Sequence, residues 1–329
     1  MKRIKYLGIF AGLLLLFITI TTTNRNEKSL VPVSYSKNTN LIDSIQKFAD
    51  TNDLKPTDAV IDRVWKAIPG YNGLVVDIEK SYERMAPLNH FEERNIIFKE
   101  VSPTISLQDL GPFPIYKGNE KKEMVAFLIN VAWGNEFIPP ILEALEKHQV
   151  KATFFLDGSW TQKNPEIAKK LIENGHEIGS HAYSHPDLAN SSEQKTRMEL
   201  EKTNAVIKDT LGITPKWFGP PSGSFNQNTI DIARELNMFT VLWTVDTVDW
   251  KIPDTQTMVN RVVNEVDNGT MVLMHPTKPT AQGMEEMILG IQEKGLVIGT
   301  VTELLSEQRL ESLLEERYLL PRVDLLYNW

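Results

Sequence analysis

The sequence contains no cysteine among its 329 residues. Without a thiol the chain has no disulfide framework, no thiolate metal ligand, no cysteine nucleophile and no cysteine for N-terminal lipid attachment. Any metal site must therefore use histidine and carboxylate ligands. The chain also lacks an excess of positive charge. It has 35 Lys and Arg residues against 43 Asp and Glu residues, which gives a formal net charge of -8. Since phosphate backbones bind basic surfaces, we expect no nucleic-acid partner.

The N-terminus carries a long apolar run. Lys2, Arg3 and Lys5 precede a mostly apolar stretch over residues 6–20. This order is typical of a secretory signal, but the threonines at 21–23 offer no small-residue cleavage site. Extended by these threonines the run reaches membrane length, so we favour an uncleaved anchor over residues 1–23 rather than a cleaved signal. The basic flank stays in the cytoplasm, which predicts a membrane-anchored, extracytoplasmic protein.

The segments after this anchor predict further divisions of the chain. Residues 24–40, rich in Asn, Ser, Thr and Lys, are typical of a linker. Residues 41–118 predict a small α/β module that acts as a spacer or docking domain, with helices over 41–49 and 56–67 and strands over 73–78 and 95–101. Residues 309–329 predict a C-terminal helix and tail that either packs on the core or contacts a membrane or partner.

Residues 119–308 predict the largest domain. Short apolar runs alternate there with helical stretches seven times, and the predicted strands cover 124–130, 152–156, 177–180, 217–218, 239–244, 270–274 and 296–300. This alternation predicts a parallel sheet wrapped by helices. Because no Gly-rich phosphate turn follows the first strand, we expect an incomplete (β/α)7-type barrel rather than an open doubly wound sheet. The working residues of such barrels lie at the carboxyl ends of the strands.

Three histidines follow predicted strands. His181 and His185 are four residues apart, a common spacing for two ligands of one divalent cation, and His275 ends the sixth strand. Two hydrogen-bonded loop histidines would have the same spacing, so the pair alone does not identify a metal site. Three imidazoles at one rim of a barrel favour a functional site.

Three segments carry a family resemblance: Lys-Ala-Thr-Phe-Phe at 151–155, Asn-Gly-His-Glu-Ile-Gly-Ser-His at 174–181, and Asp-Thr-Val-Asp-Trp-Lys at 246–251. They resemble the polysaccharide deacetylases, the NodB-homology family of carbohydrate esterases, and especially the membrane-anchored members associated with sporulation. The resemblance covers most of residues 120–305. It implies a truncated barrel that uses one divalent metal to remove acetyl groups from glycans such as peptidoglycan and chitin.

The resemblance also implies roles for individual residues. It makes His181 and His185 ligands of the metal, which we take to be zinc, and it makes His275 the acid that protonates the leaving group. The residues that would support this acid or line the acetyl pocket are Asp246, Pro221, Trp250 and Leu273.

The sequence departs from the family pattern where the chemistry is most demanding. Asn130 stands at the position of the general base, Val131 at that of the metal-binding aspartate, and Gly219 at that of the arginine that orients the base. An amide has no useful proton affinity and a hydrocarbon has no lone pair, so neither side chain replaces a carboxylate. An arginine without its carboxylate would be an unpaired buried charge, so the joint loss of the two is physically coherent.

Two functions of different class follow from these departures. In the first, the protein is a deacetylase-like glycan-binding protein of the cell or spore envelope, with zinc weakly bound or absent and the usual mechanism lost. In the second, it is an active metal-dependent deacetylase with a rearranged site, in which Glu136 or Asp249 supplies the missing oxygen ligand. The substituted positions favour the first function, whereas the retained histidines and Trp250 favour the second.

Overall fold

The computed structural model of the protein describes residues 38–251 and 254–313. The predicted anchor over 1–23, most of the linker and most of the C-terminal tail lie outside these residues. Within the described ranges, no helix is both long enough and apolar enough to cross a membrane.

The first part of the described chain consists of two helices and two small antiparallel sheets. Its four strands pair in sequence order, the first with the second and the third with the fourth. In chain order the elements are α1 (Thr39–Asn52), β1 (Val60–Asp62), β2 (Lys66–Ile68), β3 (Gly73–Val76), α2 (Ile78–Met85) and β4 (Phe98–Val101).

The predicted helix over residues 56–67 is wrong, because this segment forms the hairpin of β1 and β2. The side chain of Asp62 accepts hydrogen bonds from the backbone N–H groups of Val64 and Trp65, both at 2.7 Å. An aspartate that bonds to nearby backbone in this way offers the chain a turn in place of a helix. The β-branched Val60 and Ile61, directly before this turn, form the first strand of the hairpin.

The second part alternates strands with helices. Its elements are β5 (Met124–Val131), α3 (Ile138–Lys147), β6 (Thr153–Leu156), α4 (Gly158–Lys163), α5 (Pro165–Glu173), β7 (Glu177–Ser180), α6 (Glu193–Leu211), β8 (Trp217–Phe218), α7 (Gln227–Glu235), β9 (Phe239–Thr240), β10 (Val245–Asp246), α8 (Thr255–Glu265), β11 (Met271–Met274), α9 (Lys278–Glu293), β12 (Val297–Gly299) and α10 (Val301–Leu305).

The strands of this second part form one curled parallel sheet. The order is β10-β11-β5-β6-β7-β8-β9, and β12 pairs with the first residues of β5. The two edge strands, β9 and β10, are separated by only four residues of chain, so the sheet must curl until its edges approach each other. No ladder joins these two strands in the described structure. The predicted incomplete parallel barrel is confirmed.

The sheet has eight strands in the described residues, one more than predicted. The strand expected over 239–244 ends at Thr240, and β10 then forms at the opposite edge beside β11. The reason is that the chain must leave one edge of the open barrel before it can pair at the other. Thr244 begins this new pairing, because its N–H donates to the carbonyl of Met271 at 3.0 Å.

The central strand β5 is buried along its whole length, as expected for a parallel sheet covered by helices. Alternate residues such as Phe127, Ile129 and Val131 pack in the apolar layer between the sheet and the helices. Leu128 packs in the barrel interior instead. Because side chains alternate along a strand, Asn130 faces the interior and Val131 faces the outer layer.

His176, just before β7, shows how burial in this fold changes a proton equilibrium. Its ring packs on that of Phe154 with the centroids 5.1 Å apart, and its Nδ1 accepts the N–H of Ala152 at 3.2 Å. Burial, reinforced by the nearby charge of Lys151, lowers the pKa of His176 to about 4. The folded chain therefore holds this imidazole neutral.

We expect the protein to lose stability as the pH falls from about 6.5 to about 4, because the unfolded chain then binds a proton at His176 that the folded chain excludes. Within this window, His176 lowers the free energy of unfolding by up to about 1.4 kcal/mol for each unit by which the pH falls. Urea denaturation across this pH window measures the slope. His176→Asn keeps an acceptor but does not titrate, so it should flatten the slope. An equally steep slope in the variant would contradict the prediction.

Candidate functional site

The candidate site lies at the carboxyl ends of the barrel strands. His181 follows β7 directly, and its side chain is buried. Its Nδ1 lies 2.7 Å from the carbonyl oxygen of Gly219. A carbonyl only accepts hydrogen bonds, so Nδ1 carries the proton and Nε2 carries the lone pair of the neutral ring.

The structure brings His185 to His181, as their spacing predicts. The two imidazoles lie edge to face with their centroids 5.3 Å apart, and His185 is exposed. Burial, together with the neighbouring rings of His185 and His275, lowers the pKa of His181 to about 3. His181 is therefore neutral at physiological pH, the state in which an imidazole offers a lone pair.

A carboxylate from α6 holds the loop between these histidines. Glu199 accepts hydrogen bonds from the N–H groups of Tyr183 and Ser184 at 2.9 and 2.8 Å, and from the Ser184 hydroxyl at 2.7 Å. Ala182 and His185 adopt left-handed backbone conformations, with φ of 58° and 55°. Such conformations are unfavourable for residues with a Cβ and persist where surrounding contacts enforce them. Sequence reasoning missed Glu199, which lies within the helical pattern and carries no motif.

The third histidine, His275, is held by Asp249. The carboxylate of Asp249 accepts the His275 Nδ1–H at 2.9 Å, the His275 backbone N–H at 2.6 Å and the Thr280 hydroxyl at 2.7 Å. Burial alone would raise the pKa of Asp249, but the hydrogen bonds from His275 and Thr280 outweigh it and the pKa is lowered. The Asp249 side chain is fully buried, so an ionised, solvent-excluded carboxylate orients the His275 imidazole.

The prediction that Asp246 supports His275 is therefore wrong. The Asp246 side chain accepts the N–H of Val248 at 2.8 Å and forms the turn after β10, while its carbonyl accepts from Arg261. Asp246 is the last residue of β10, and Asp249 follows it three residues later. The turn made by Asp246 directs the chain so that Asp249 reaches His275.

Around the substituted positions, the ring of Phe155 fills the barrel interior. Phe155 on β6 pairs with Asn130 on one side and with Gly179 on the other. A Cβ on Gly179 would lie 2.4 Å from this ring, and a Cβ on Gly219 would lie 3.0 Å from it. Any side chain at position 219 therefore requires Phe155 to shift. Gly219 contributes its carbonyl to His181 instead of a side chain.

The predicted pocket residues lie on or just after three different strands. Leu273 is on β11 and is buried, and Pro221 is buried in the turn after β8. Trp250, after β10, is 62% exposed. Of these three residues, Trp250 offers a ligand an open surface.

The donor set around His181 does not fit a divalent cation. Among the described residues, no three His, Asp or Glu side chains are grouped closely enough to hold a metal ion. Val131 packs in the outer apolar layer, and Glu136, one of the two expected substitutes, is exposed. Asp249, the other, is occupied by three hydrogen bonds from His275 and Thr280. Two neutral imidazoles provide neither the third donor nor the negative charge of the usual zinc site.

Comparison with known proteins agrees with the fold and with these motifs. The family model described as polysaccharide deacetylase matches residues 117–241. A peptidoglycan-N-acetylglucosamine deacetylase of Bacillus cereus is 36% identical over 185 residues, which cover 55% of this chain and 67% of that protein. The chain belongs to the polysaccharide deacetylase family. The family resemblance inferred from the sequence is confirmed.

Two further proteins are similar over more of the chain. The uncharacterized protein YlxY of Bacillus subtilis is 51% identical over 284 residues, covering 86% of this chain and 89% of that protein. The structure of BA3943 from Bacillus anthracis, a CE4 family pseudoenzyme, is 46% identical with a TM-score of 0.75, covering 82% of this chain and 96% of that one. A mutant of BA3943 has restored enzymatic activity. The chain thus has the family fold and is similar to a member that lacks activity.

Proposed function

We propose that the protein is a polysaccharide deacetylase-like protein of the cell or spore envelope that binds an N-acetylated glycan and lacks the usual metal and base mechanism. The observation that carries this proposal is the end of β5, where Asn130 faces the barrel interior and Val131 packs in the apolar outer layer. The base position has lost its proton affinity, and the ligand position has lost its lone pair.

The class of glycan is proposed from the relatives. The Bacillus cereus relative is a peptidoglycan deacetylase, and this chain keeps the family fold around its three histidines. A peptidoglycan or chitin-like polymer is therefore the ligand that we assign. The same rim keeps His275 and Asp249 in a well-formed hydrogen-bonded pair.

This pair supports the second candidate function, an active deacetylase with a rearranged site. His275 has its Nδ1–H directed to Asp249, which leaves Nε2 to exchange a proton with a leaving group. What this arrangement lacks is a group that activates water. We therefore place this function second.

The proposed location depends on residues 1–23. Their basic flank and apolar run support an uncleaved membrane anchor that leaves the barrel on the extracytoplasmic side. Such a protein would act at the cell surface or, in a spore-forming organism, at the spore envelope, with a membrane and a glycan as its partners.

We expect purified full-length protein to contain well under one equivalent of zinc and to release no acetate from acetylated chitooligosaccharide or peptidoglycan. The physical reason is that two imidazoles hold zinc weakly and that no carboxylate activates water. Elemental analysis and an acetate assay on the same sample measure both quantities. Stoichiometric zinc, together with acetate release that His275→Ala abolishes, would replace this proposal with the active deacetylase.

A further inference from the structure

Trp133, in the loop after β5, is a large aromatic side chain that the fold leaves in solvent. It is 47% exposed, and its indole stacks on the imidazole of His275 with the centroids 5.9 Å apart and the planes 10° from parallel. One face of the indole therefore covers His275, and the rest is open at the rim of the barrel. Exposed apolar surface of this kind beside polar side chains is typical of a binding site.

The loop that carries Trp133 is fixed at the next two residues. Gly134 has φ of 82°, and a Cβ there would lie 2.0 Å from the carbonyl oxygen of Pro276, so the loop packs directly on the backbone that follows His275. Asn135 accepts the indole N–H of Trp160 at 2.6 Å and donates to Asn164 at 2.7 Å. These contacts hold the backbone that directly follows the exposed indole in place.

The other half of the stack is equally constrained. His275 is held by Asp249 through both its backbone N–H and its Nδ1–H, and Thr280 secures the same carboxylate. Trp133 and His275 therefore form one stacked pair, here called the aromatic platform, that exists before any ligand arrives. A preformed surface binds with little loss of side-chain entropy.

We propose that the aromatic platform binds a pyranose ring of the glycan by stacking on the open face of Trp133. This inference rests on the proposed function and adds a residue that contributes affinity for the glycan. A pyranose presents an apolar C–H face that packs on an aromatic ring, and its hydroxyl and acetamido groups require polar neighbours. His275 provides a polar ring edge beside the indole, and Trp250 adds a second exposed indole directly after Asp249.

The test is calorimetric titration of full-length protein with the β-1,4-linked tetramer of N-acetylglucosamine. Trp133→Ala removes the stacking surface, so we expect affinity to fall about tenfold. Trp133→Phe keeps an aromatic face and should retain most of the affinity. Trp65→Ala is the matched control, because Trp65 is 38% exposed on the hairpin of β1 and β2 and lies beside Thr270, at the end of β11 opposite His275. This variant should bind as the unaltered chain does.

The outcomes separate this inference from the proposed function. If the unaltered chain does not bind the tetramer, the glycan-binding function is overturned and the platform with it. If the unaltered chain binds and Trp133→Ala binds equally well or more tightly, the proposed function stands and the platform is overturned. Equal losses in Trp133→Ala and Trp65→Ala would also overturn it, because the loss would then not depend on the aromatic platform.

Discussion

Replacing Asn130 and Val131 together with aspartate is expected to convert the protein into one that retains about one equivalent of zinc. The substitution restores both carboxylates of the family pattern at the end of β5. His181 and His185 are already adjacent, and burial keeps His181 neutral, so the two imidazoles would gain the oxygen donor and the negative charge that a zinc site requires. Thermal denaturation with and without zinc measures the gain. At free zinc 100-fold above the dissociation constant, the folded state gains about 2.7 kcal/mol.

Without zinc, the same double variant is expected to be less stable than the unaltered protein. Val131 is fully buried in the apolar outer layer, so a carboxylate at this position without a metal is an uncompensated charge that costs about 3 kcal/mol or more. Val131→Ala separates this cost from that of the missing side-chain volume. Adding His181→Ala to the double variant should remove zinc again. If the double variant retained no zinc, the assignment of position 131 as the position of the metal-binding aspartate would be wrong.

Replacing Asp249 with alanine is expected to lower the free energy of unfolding by about 3 to 5 kcal/mol. Three donors, from the His275 backbone, the His275 ring and Thr280, converge on a carboxylate with no solvent access. Removing the carboxylate leaves these donors unpaired in the interior, which is the costly direction for a buried hydrogen bond. Urea denaturation at neutral pH measures the loss.

The matched control for this variant is Asp246→Ala. Asp246 is half-buried and its side chain accepts the N–H of Val248, so we expect a loss of about 1 kcal/mol. Asp249→Asn keeps the shape and one acceptor oxygen, and its loss should lie between those of the two alanine variants. Equal losses in Asp246→Ala and Asp249→Ala would contradict the assignment of Asp249 as the support of His275.

The barrel was predictable because its signal repeats. Each buried strand of a parallel sheet is a short apolar run, and each crossover helix has its own apolar spacing, so seven repetitions outweigh errors at single elements. The N-terminal part has no such repetition. There, one hydrogen-bonding aspartate, Asp62, was enough to make a hairpin of a segment that the pattern predicted as a helix. The short strand β10 was missed because its position depends on the opening between the two edges of the barrel, which the chain crosses after β9.

Residue chemistry, unlike placement, was determined by the sequence alone. An amide at 130, a hydrocarbon at 131 and a glycine at 219 lack the required proton affinity, lone pair and charge in any fold, so the loss of the usual mechanism could be inferred before any geometry. Only the tertiary structure decided which aspartate meets His275 and what covers that histidine. Asp246 and Asp249 are equally good carboxylates, and nothing local links Trp133 to His275. Such pairings depend on how loops from different strands meet at the barrel rim, where distances between side chains are decided by packing across the whole sheet.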